Sequence, residues 1–147
     1  MYQRILVATD GSTLARKAVT AAINLALSLD AELVALKVIP RYHADYFDGA
    51  IAFSATELAR AEKQSAAHAQ AIVDVVQASA QAKGIKTKAV TVKSSLVSEA
   101  VIAAAKKHKC DLIVMASHGR GGLRRLLLGS ETFKVLTHSH IPVLVLR

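Results

Sequence analysis

The sequence predicts an α/β fold in which a five-stranded parallel sheet lies between two layers of helices. Short apolar runs rich in Val, Ile and Leu alternate with longer stretches of helical period, a pattern typical of strand–helix–strand units with right-handed crossovers. The first of these runs is apolar at nearly every position, as expected for a strand buried on both faces. No linker or internal repeat interrupts the pattern, so we expect one doubly wound domain over residues 1–147.

The second and third predicted strands have signals of their own. The second run is ended by Pro40, which cannot donate a hydrogen bond to a ladder, and the third alternates in the manner of an edge strand. The strands are predicted over 4–9, 32–39, 86–92, 111–116 and 142–146.

The helices follow from apolar spacing and from their end signals. Ser12 or Thr13 is placed to cap the first helix, and Gly84 stops the second. The helices are predicted over 15–29, 56–82, 97–105 and 130–136. The apolar face of the second helix is predicted at Leu58, Ala61, Ile72, Val75, Val76 and Ser79.

Composition argues against several classes of protein. The single cysteine, Cys110, cannot form an internal disulfide and is expected to be a packed thiol, and no Cys/His spacing of the zinc type occurs. No apolar run reaches the roughly 18 residues that a spanning helix needs, and the first residues do not resemble a signal peptide. We therefore expect a cytoplasmic protein with no membrane partner.

The charge is unevenly distributed along the chain. The formal net charge is +8, which favours an anionic partner. Half of it, +4, lies after residue 111, where five basic residues face one acid, Glu131. Nucleic acid is a weak candidate for the partner because no aromatic run of the RNA-binding type and no basic reading helix is present.

A glycine-rich basic stretch follows the fourth strand. Gly119, Gly121 and Gly122 precede a pair, Gly129-Ser130, that begins the last helix. Glycines allow the backbone to approach a phosphate chain, and the N–H groups of a helix start face an anion. The stretch is neither a Walker A loop nor a dinucleotide fingerprint. A solvated loop followed by a glycine-started helix is the alternative.

These motifs resemble the universal stress protein family over the length of the chain. The resemblance is carried by residues 5–12, by 117–120 with 126–130, and by the closing strand 142–145. ATP-binding members of that family have the pattern G-x2-G-x9-G-[ST]. Gly119, Gly129 and Ser130 match it, whereas Ala116 replaces the first glycine, and we expect this to weaken nucleotide binding rather than abolish it.

The resemblance implies a fold and a set of nucleotide contacts. The fold is a Rossmann-like, three-layer sandwich of the adenine nucleotide alpha hydrolase type, with strand order 3-2-1-4-5. Val38 offers backbone groups to the adenine edge, and the start of the last helix offers N–H groups to the phosphates. The implied contacts are Ala8, Thr9, Asp10, Val38, Pro40, Met115, Ala116, His118, Gly119, Arg120, Gly122, Gly129, Ser130, Glu131 and Thr132.

The same resemblance implies the ligand and the assembly. The ligand is ATP, or AMP or ADP, with any Mg²⁺ held through the phosphates rather than in a protein cage. Subunits pair through the last strand, Val143 to Leu146, and the dimer acts as a nucleotide-responsive factor in the stress response, with protein partners that the sequence does not identify.

Several alternatives remain open at the level of sequence. Asp10 can be a plain turn residue before Gly11, and the 42–53 segment can cover the nucleotide, a dimer seam or a partner. No catalytic residue and no protein metal site is assigned, although His118 or Glu131 could position water for slow ATP hydrolysis. Glu131 is expected to point away from the phosphates or to pair with an arginine. The remaining hypothesis is that the protein is an interaction module that binds no nucleotide.

Overall fold

The computed structural model of the protein describes residues 1–41, 54–119 and 128–147. The predicted architecture is confirmed: the parallel strands lie in the order β3-β2-β1-β4-β5. In chain order the elements are β1 Arg4–Ala8, α1 Thr13–Leu29, β2 Glu32–Ile39, α2 Ala55–Gln81, β3 Thr87–Lys93, α3 Val97–Lys107, β4 Leu112–Ala116, α4 Ser130–His138 and β5 Val143–Leu146.

The central strands are apolar because both of their faces are covered. On β1, Ile5 and Val7 pack under α1 and α2, whereas Leu6 packs on the opposite face under α3 and α4. All five residues of β4 are buried. The sheet therefore separates two apolar cores, as in other doubly wound folds. Among the described residues no helix combines the length and apolar composition needed to cross a bilayer.

The buried face of α2 differs from the predicted one. Val75 is 66% exposed, and the buried residues of the helix are Ala69, Val73, Val76 and Ala80. The buried set follows a regular spacing of three and four residues and includes two alanines, whose small side chains allow the helix to lie close to β2 and β3. Of the predicted face, Val76 is buried and Leu58 and Ile72 are partly buried, whereas Ala61, Val75 and Ser79 are exposed.

Helix ends explain where the other elements begin. Ser12 caps α1 by accepting a hydrogen bond from the N–H of Ala15, and Ser54 with Glu57 forms a capping box at the start of α2. The N-terminus of α4 is different: its N-cap residue is Gly129, which has no side chain to cap it, and no side-chain cap is found among the described residues.

Charged side chains bind the amino ends of the strands together. The Arg4 guanidinium donates to the Glu32 carboxylate on β2 over 2.7 Å and to the carbonyl of His108 over 2.8 Å. Lys86 pairs with the other oxygen of Glu32 at 2.7 Å. The Asp111 carboxylate accepts from the N–H groups of Gln3 and Arg4. We call Arg4, Glu32, Lys86 and Asp111 the amino-end network.

Cys110 lies beside this network and is buried, as predicted. Burial raises the pKa of its thiol to about 11, so the thiol stays protonated at neutral pH. It is therefore a packing residue rather than a nucleophile.

Candidate functional site

A cavity of about 460 Å³ opens at the carboxyl ends of β1, β2 and β4. The chain leaves β1 toward β2 on one side, while β4 lies on its other side, so this is the point where the strand order reverses and where ligands bind in such sheets. The size lies within the range of small-molecule sites. The carboxyl-edge cavity is lined by Ala8, Thr9, Asp10, Ala15, Leu36, Lys37, Val38, Val97, Val101, Met115, Ala116, His118, Gly119, Gly129, Ser130, Glu131 and Thr132.

The backbone of Val38 faces this cavity. β1 ends at Ala8, which pairs with Leu36, whereas β2 continues to Ile39 against β3. Successive residues of a parallel strand direct their N–H and C=O groups to opposite neighbours. The Leu36 carbonyl accepts from Thr9 on the β1 side, and the Ile39 carbonyl accepts from Ser94 on the other side. The Val38 amide and carbonyl therefore point to the place where β1 has already ended.

Lys37 adds a cation beside that backbone. Its Nζ donates to the Val38 carbonyl over 2.9 Å. A carbonyl oxygen has two lone pairs, so the Val38 carbonyl retains capacity for a second donor.

Gly129 permits a close approach between the end of β4 and the start of α4. Its N–H donates to the Ser117 carbonyl over 2.7 Å. A Cβ at this position would lie 3.0 Å from the His118 Cα and 3.1 Å from that carbonyl oxygen, both of which are backbone atoms. Any side chain here would therefore have to displace the backbone of Ser117 and His118 by a few tenths of an ångström, so space favours glycine, and its φ of −60° shows that positive φ is not the reason.

Asp10 has a turn role and also lines the cavity. Its Oδ1 accepts from the N–H of Ser12, which orders the turn into α1. Gly11 adopts a φ of +78°, and its N–H donates to Thr9 Oγ1. A Cβ on Gly119 would lie 3.1 Å from Asp10 Oδ2, so the turn after β1 and the stretch after β4 meet at this point.

Ala116, which replaces the family's first glycine, is an ordinary strand residue. It belongs to β4 and is 8% exposed, and the non-glycine residues of positive φ in the described chain are Asp30 and Lys109. Its carbonyl accepts from Thr132 Oγ1 over 2.9 Å. An alanine therefore causes no backbone strain here. His118, which follows Ser117, has its Nδ1 within 3.2 Å of the Ser117 hydroxyl.

Glu131 contacts the first turn of α3 and a lysine on its own helix. One carboxylate oxygen accepts from the N–H of Ser98 over 2.8 Å, and the other lies 3.3 Å from Lys134 Nζ, which lies three residues along the helix on the same face. Pairing with an arginine stays a prediction, because Arg120, Arg124 and Arg125 lie outside the described residues.

The structure brings most of the predicted contact residues together at the cavity. Pro40 is exposed after β2 and is not among the lining residues. Arg120 and Gly122 lie outside the described residues, as does the 42–53 segment. The predicted residues that line the cavity are Ala8, Thr9, Asp10, Val38, Met115, Ala116, His118, Gly119, Gly129, Ser130, Glu131 and Thr132.

Other lining residues were not predicted. Leu36 shares a face of β2 with Val38, and Val97 and Val101 share a face of α3, so period-two and period-four spacing could have indicated them. Ala15 and Lys37 had no comparable signal, because their place at the cavity depends on how the first turn of α1 and the end of β2 are positioned.

A second cavity of about 510 Å³ lies between α1 and α2. Its walls include Val19 and Ile23 from α1 and Ile72 and Val75 from α2. Volume alone does not indicate which of the two cavities binds a ligand. The carboxyl-edge cavity differs in having strand-end backbone groups and the start of α4 in its walls. Across residues 1–41, 54–119 and 128–147 no group of three or more His, Cys, Asp or Glu side chains could hold a metal ion.

Comparisons with known proteins show the family to which the chain belongs. The sequence profile of the universal stress protein family matches residues 1–147. A universal stress protein of Methanocaldococcus jannaschii is 34% identical over 151 aligned residues, which cover 100% of this chain and 83% of that protein. The structure of UspA from Lactobacillus plantarum superposes with a TM-score of 0.82 at 29% identity, covering 99% of this chain and 98% of that one.

A third relative was solved with a ligand. It is a universal stress protein in complex with cAMP, which is 26% identical to this chain, has a TM-score of 0.72, and covers 99% of this chain and 97% of its own. The full-length profile match and the relatives that span the whole chain identify the protein as a member of the universal stress protein family.

Proposed function

We propose that the carboxyl-edge cavity binds an adenine nucleotide, with ATP as the leading candidate. The observation that carries the proposal is the presence of two unlike groups in the wall of one cavity. Both the Val38 backbone and the N-terminus of α4 at Gly129 line it, and the N-cap glycine supplies no side-chain cap to that helix. Adenosine phosphates have the matching polarity, with a neutral base at one end and an anion at the other.

The base end suits adenine. The edge of adenine carries a ring acceptor next to an amino donor, which complements a backbone N–H and C=O on one residue. Val38 offers that pair, and Val97 and Val101 supply apolar walls for the ring. Guanine has a donor and a carbonyl acceptor at the corresponding edge, so it would oppose like groups to those of Val38.

The phosphate end suits an anion. The first N–H groups of a helix have no partner within the helix, and the helix dipole favours negative charge there. Gly129 leaves the approach to these groups free of a side chain, and Ser130 adds a hydroxyl. The relative in complex with cAMP supports an adenine nucleotide as the ligand class.

Binding of ATP, GTP and tripolyphosphate should be compared by calorimetry at physiological salt. ATP and GTP carry the same charge, so the net charge of +8 attracts them equally and only the base end distinguishes them. We expect ATP to bind at least about tenfold tighter than GTP, on the basis of about one mismatched polar pair. Equal affinity for all three ligands, or no binding of ATP at millimolar concentration, would refute the proposal.

Any Mg²⁺ is proposed to be held through the phosphates. Of the carboxylates at the cavity, Glu131 is engaged with Ser98 and Lys134, and Asp10 accepts from the backbone of Ser12. Magnesium bound through substrate phosphates needs only one or two protein ligands. When bound, it would offset phosphate charge.

We further propose that the protein acts by binding rather than by turnover. A hydrolytic role would need a side chain that positions water, and sequence offers His118 or Glu131 for it. The carboxylate of Glu131 already accepts a backbone hydrogen bond and pairs with Lys134, which supports a positioning role instead. Single-turnover assays with Mg-ATP should detect no hydrolysis that depends on either residue. Turnover that is lost in the His118→Ala or the Glu131→Gln variant would contradict this proposal.

The proposed dimer uses the free side of β5. Ile113 of β4 donates to the Pro142 carbonyl and Ser117, directly after β4, donates to the Leu146 carbonyl, so the backbone of Val143 and Val145 faces away from β4. Strand-to-strand pairing of two subunits would use these groups. Val145→Pro removes one outward N–H, and light scattering should then report a monomer where the wild type is a dimer.

A further inference from the structure

The starting observation is that two helix N-termini share one acidic residue. α3 begins after Leu96, which makes no side-chain cap hydrogen bond. The Ser98 N–H in its first turn instead donates to Glu131, which belongs to the first turn of α4 and lines the carboxyl-edge cavity. A residue of α4 therefore caps α3, since a carboxylate near a helix start is favourable for both dipoles.

This arrangement leaves a negative charge in the wall of the proposed nucleotide site. Lys134 lies 3.3 Å from Glu131, but its side chain is 52% exposed, so solvent weakens the compensation. Glu131 and the amides that would receive phosphate belong to the same helical turn. An anion bound at that turn would be repelled by the carboxylate, and the repulsion grows with each charge on the ligand.

We propose that Glu131 determines how the site ranks adenine nucleotides by phosphate number, by lowering the affinity for ATP more than for AMP and leaving adenosine unaffected. This inference rests on the proposed function. It assigns to Glu131 a positioning contact with α3 and an electrostatic role in selectivity.

The test is a ligand series on Glu131→Gln. Glutamine retains an oxygen that can accept from Ser98 while removing the charge. Relative to wild type in magnesium-free buffer with EDTA, we expect unchanged affinity for adenosine, about threefold tighter AMP binding and about tenfold tighter ATP binding, which correspond to screened charge–charge repulsion. Omitting Mg²⁺ removes any contribution from a metal between the carboxylate and the phosphates.

The matched control is Glu99→Gln. Glu99 is an exposed acid in the first turn of α3 that does not line the cavity. A gain in ligand affinity that rises with phosphate number in Glu131→Gln and is absent in Glu99→Gln supports the inference. Equal effects of the two variants, or an equal change for adenosine and ATP, would overturn it.

Glu131→Ala provides a second route if the glutamine variant is unstable. It removes both the cap and the charge, so the melting temperature should fall. The gain in affinity over wild type should still increase from adenosine through AMP to ATP, and loss of that order would also overturn the inference. Wild-type affinities separate the two proposals: if wild type prefers ATP to GTP but Glu131→Gln leaves the ligand ranking unchanged, only the role of Glu131 fails.

Discussion

The two ends of the sheet are formed by the same strands but satisfy their polar groups in opposite ways. At the amino end, Asp111 accepts from two backbone N–H groups, and Glu32 is held by Arg4 and Lys86. At the carboxyl end, β2 continues beyond β1, and α4 starts at Gly129, which provides no side-chain cap. The first end is closed by side chains of the same chain, and the second exposes backbone groups to a cavity.

This difference indicates where function can evolve in such a sheet. A polar group satisfied within the chain contributes to stability and has little capacity for a ligand, whereas a strand-end amide or a helix start facing a cavity is suited to binding. Substitutions at the carboxyl end should therefore change ligand affinity, and substitutions at the amino end should change stability alone.

The largest expected effect is at the close approach of the carboxyl end. Gly129→Asp places a Cβ against the backbone of Ser117 and His118 and adds a negative charge at the helix start. We expect ATP affinity to fall by about a hundredfold or more, because both the backbone position and the charge oppose phosphate. Calorimetry measures the ATP affinity, with Lys107→Ala at the far end of α3 as the control. Wild-type ATP affinity in a folded Gly129→Asp protein would contradict the comparison.

A smaller effect is expected where α4 is attached to β4. Thr132→Val leaves the buried carbonyl of Ala116 without its donor, and we expect a loss of about 1 to 2 kcal/mol in the free energy of unfolding. Thr137→Val is the matched control, since Thr137 Oγ1 also donates to a carbonyl of α4 but is exposed. Urea denaturation measures both. Equal losses would mean that burial of the Thr132 contact is unimportant.

The smallest effect is expected at the amino end. Hydrogen bonds from Lys86 and then from Arg4 hold the pKa of the Glu32 carboxyl below its ordinary value of 4.5. A carboxyl with a lowered pKa in the folded state stabilises the protein at pH values above its unfolded pKa, and that contribution is lost as the pH falls through the folded pKa.

Glu32→Gln tests this end of the comparison. The melting temperature should be lower than that of wild type at pH 7, and the difference should shrink as the pH falls below 4.5. Glu99→Gln, which lacks both of these basic partners, serves as the control. ATP affinity should be unchanged in Glu32→Gln, and a change comparable to that in Gly129→Asp would remove the distinction between the two ends.

The sequence predicted the order and type of the elements because burial on two faces leaves nearly continuous apolar strands. It also predicted the edge position of β3 and the packing of Cys110. It misplaced the buried face of α2, since the period of a helix rich in alanine depends on which small residues contact the sheet. Val75 is bulky and yet is largely exposed, in the wall of the second cavity.

The candidate site was predictable in part. Asp10, Gly119 and Gly129 stand next to predicted strand ends or helix starts, so their convergence followed from the parallel topology. The contact from Glu131 to Ser98 joins residues 33 positions apart on two helices, and no local pattern encodes it. The same holds for Lys37, whose donation to Val38 depends on the end of β1 beside β2.

Local hydrophobic period and turn residues were sufficient for the α/β class and the sheet elements, and the glycine motif indicated the stretch for which we propose contact with an anion, because these properties are encoded within short windows. Only the tertiary structure decided which backbone groups remain open and which charges are satisfied. Those outcomes depend on where one strand ends relative to its neighbour and on how two helix starts meet, and both are set by packing across the whole domain.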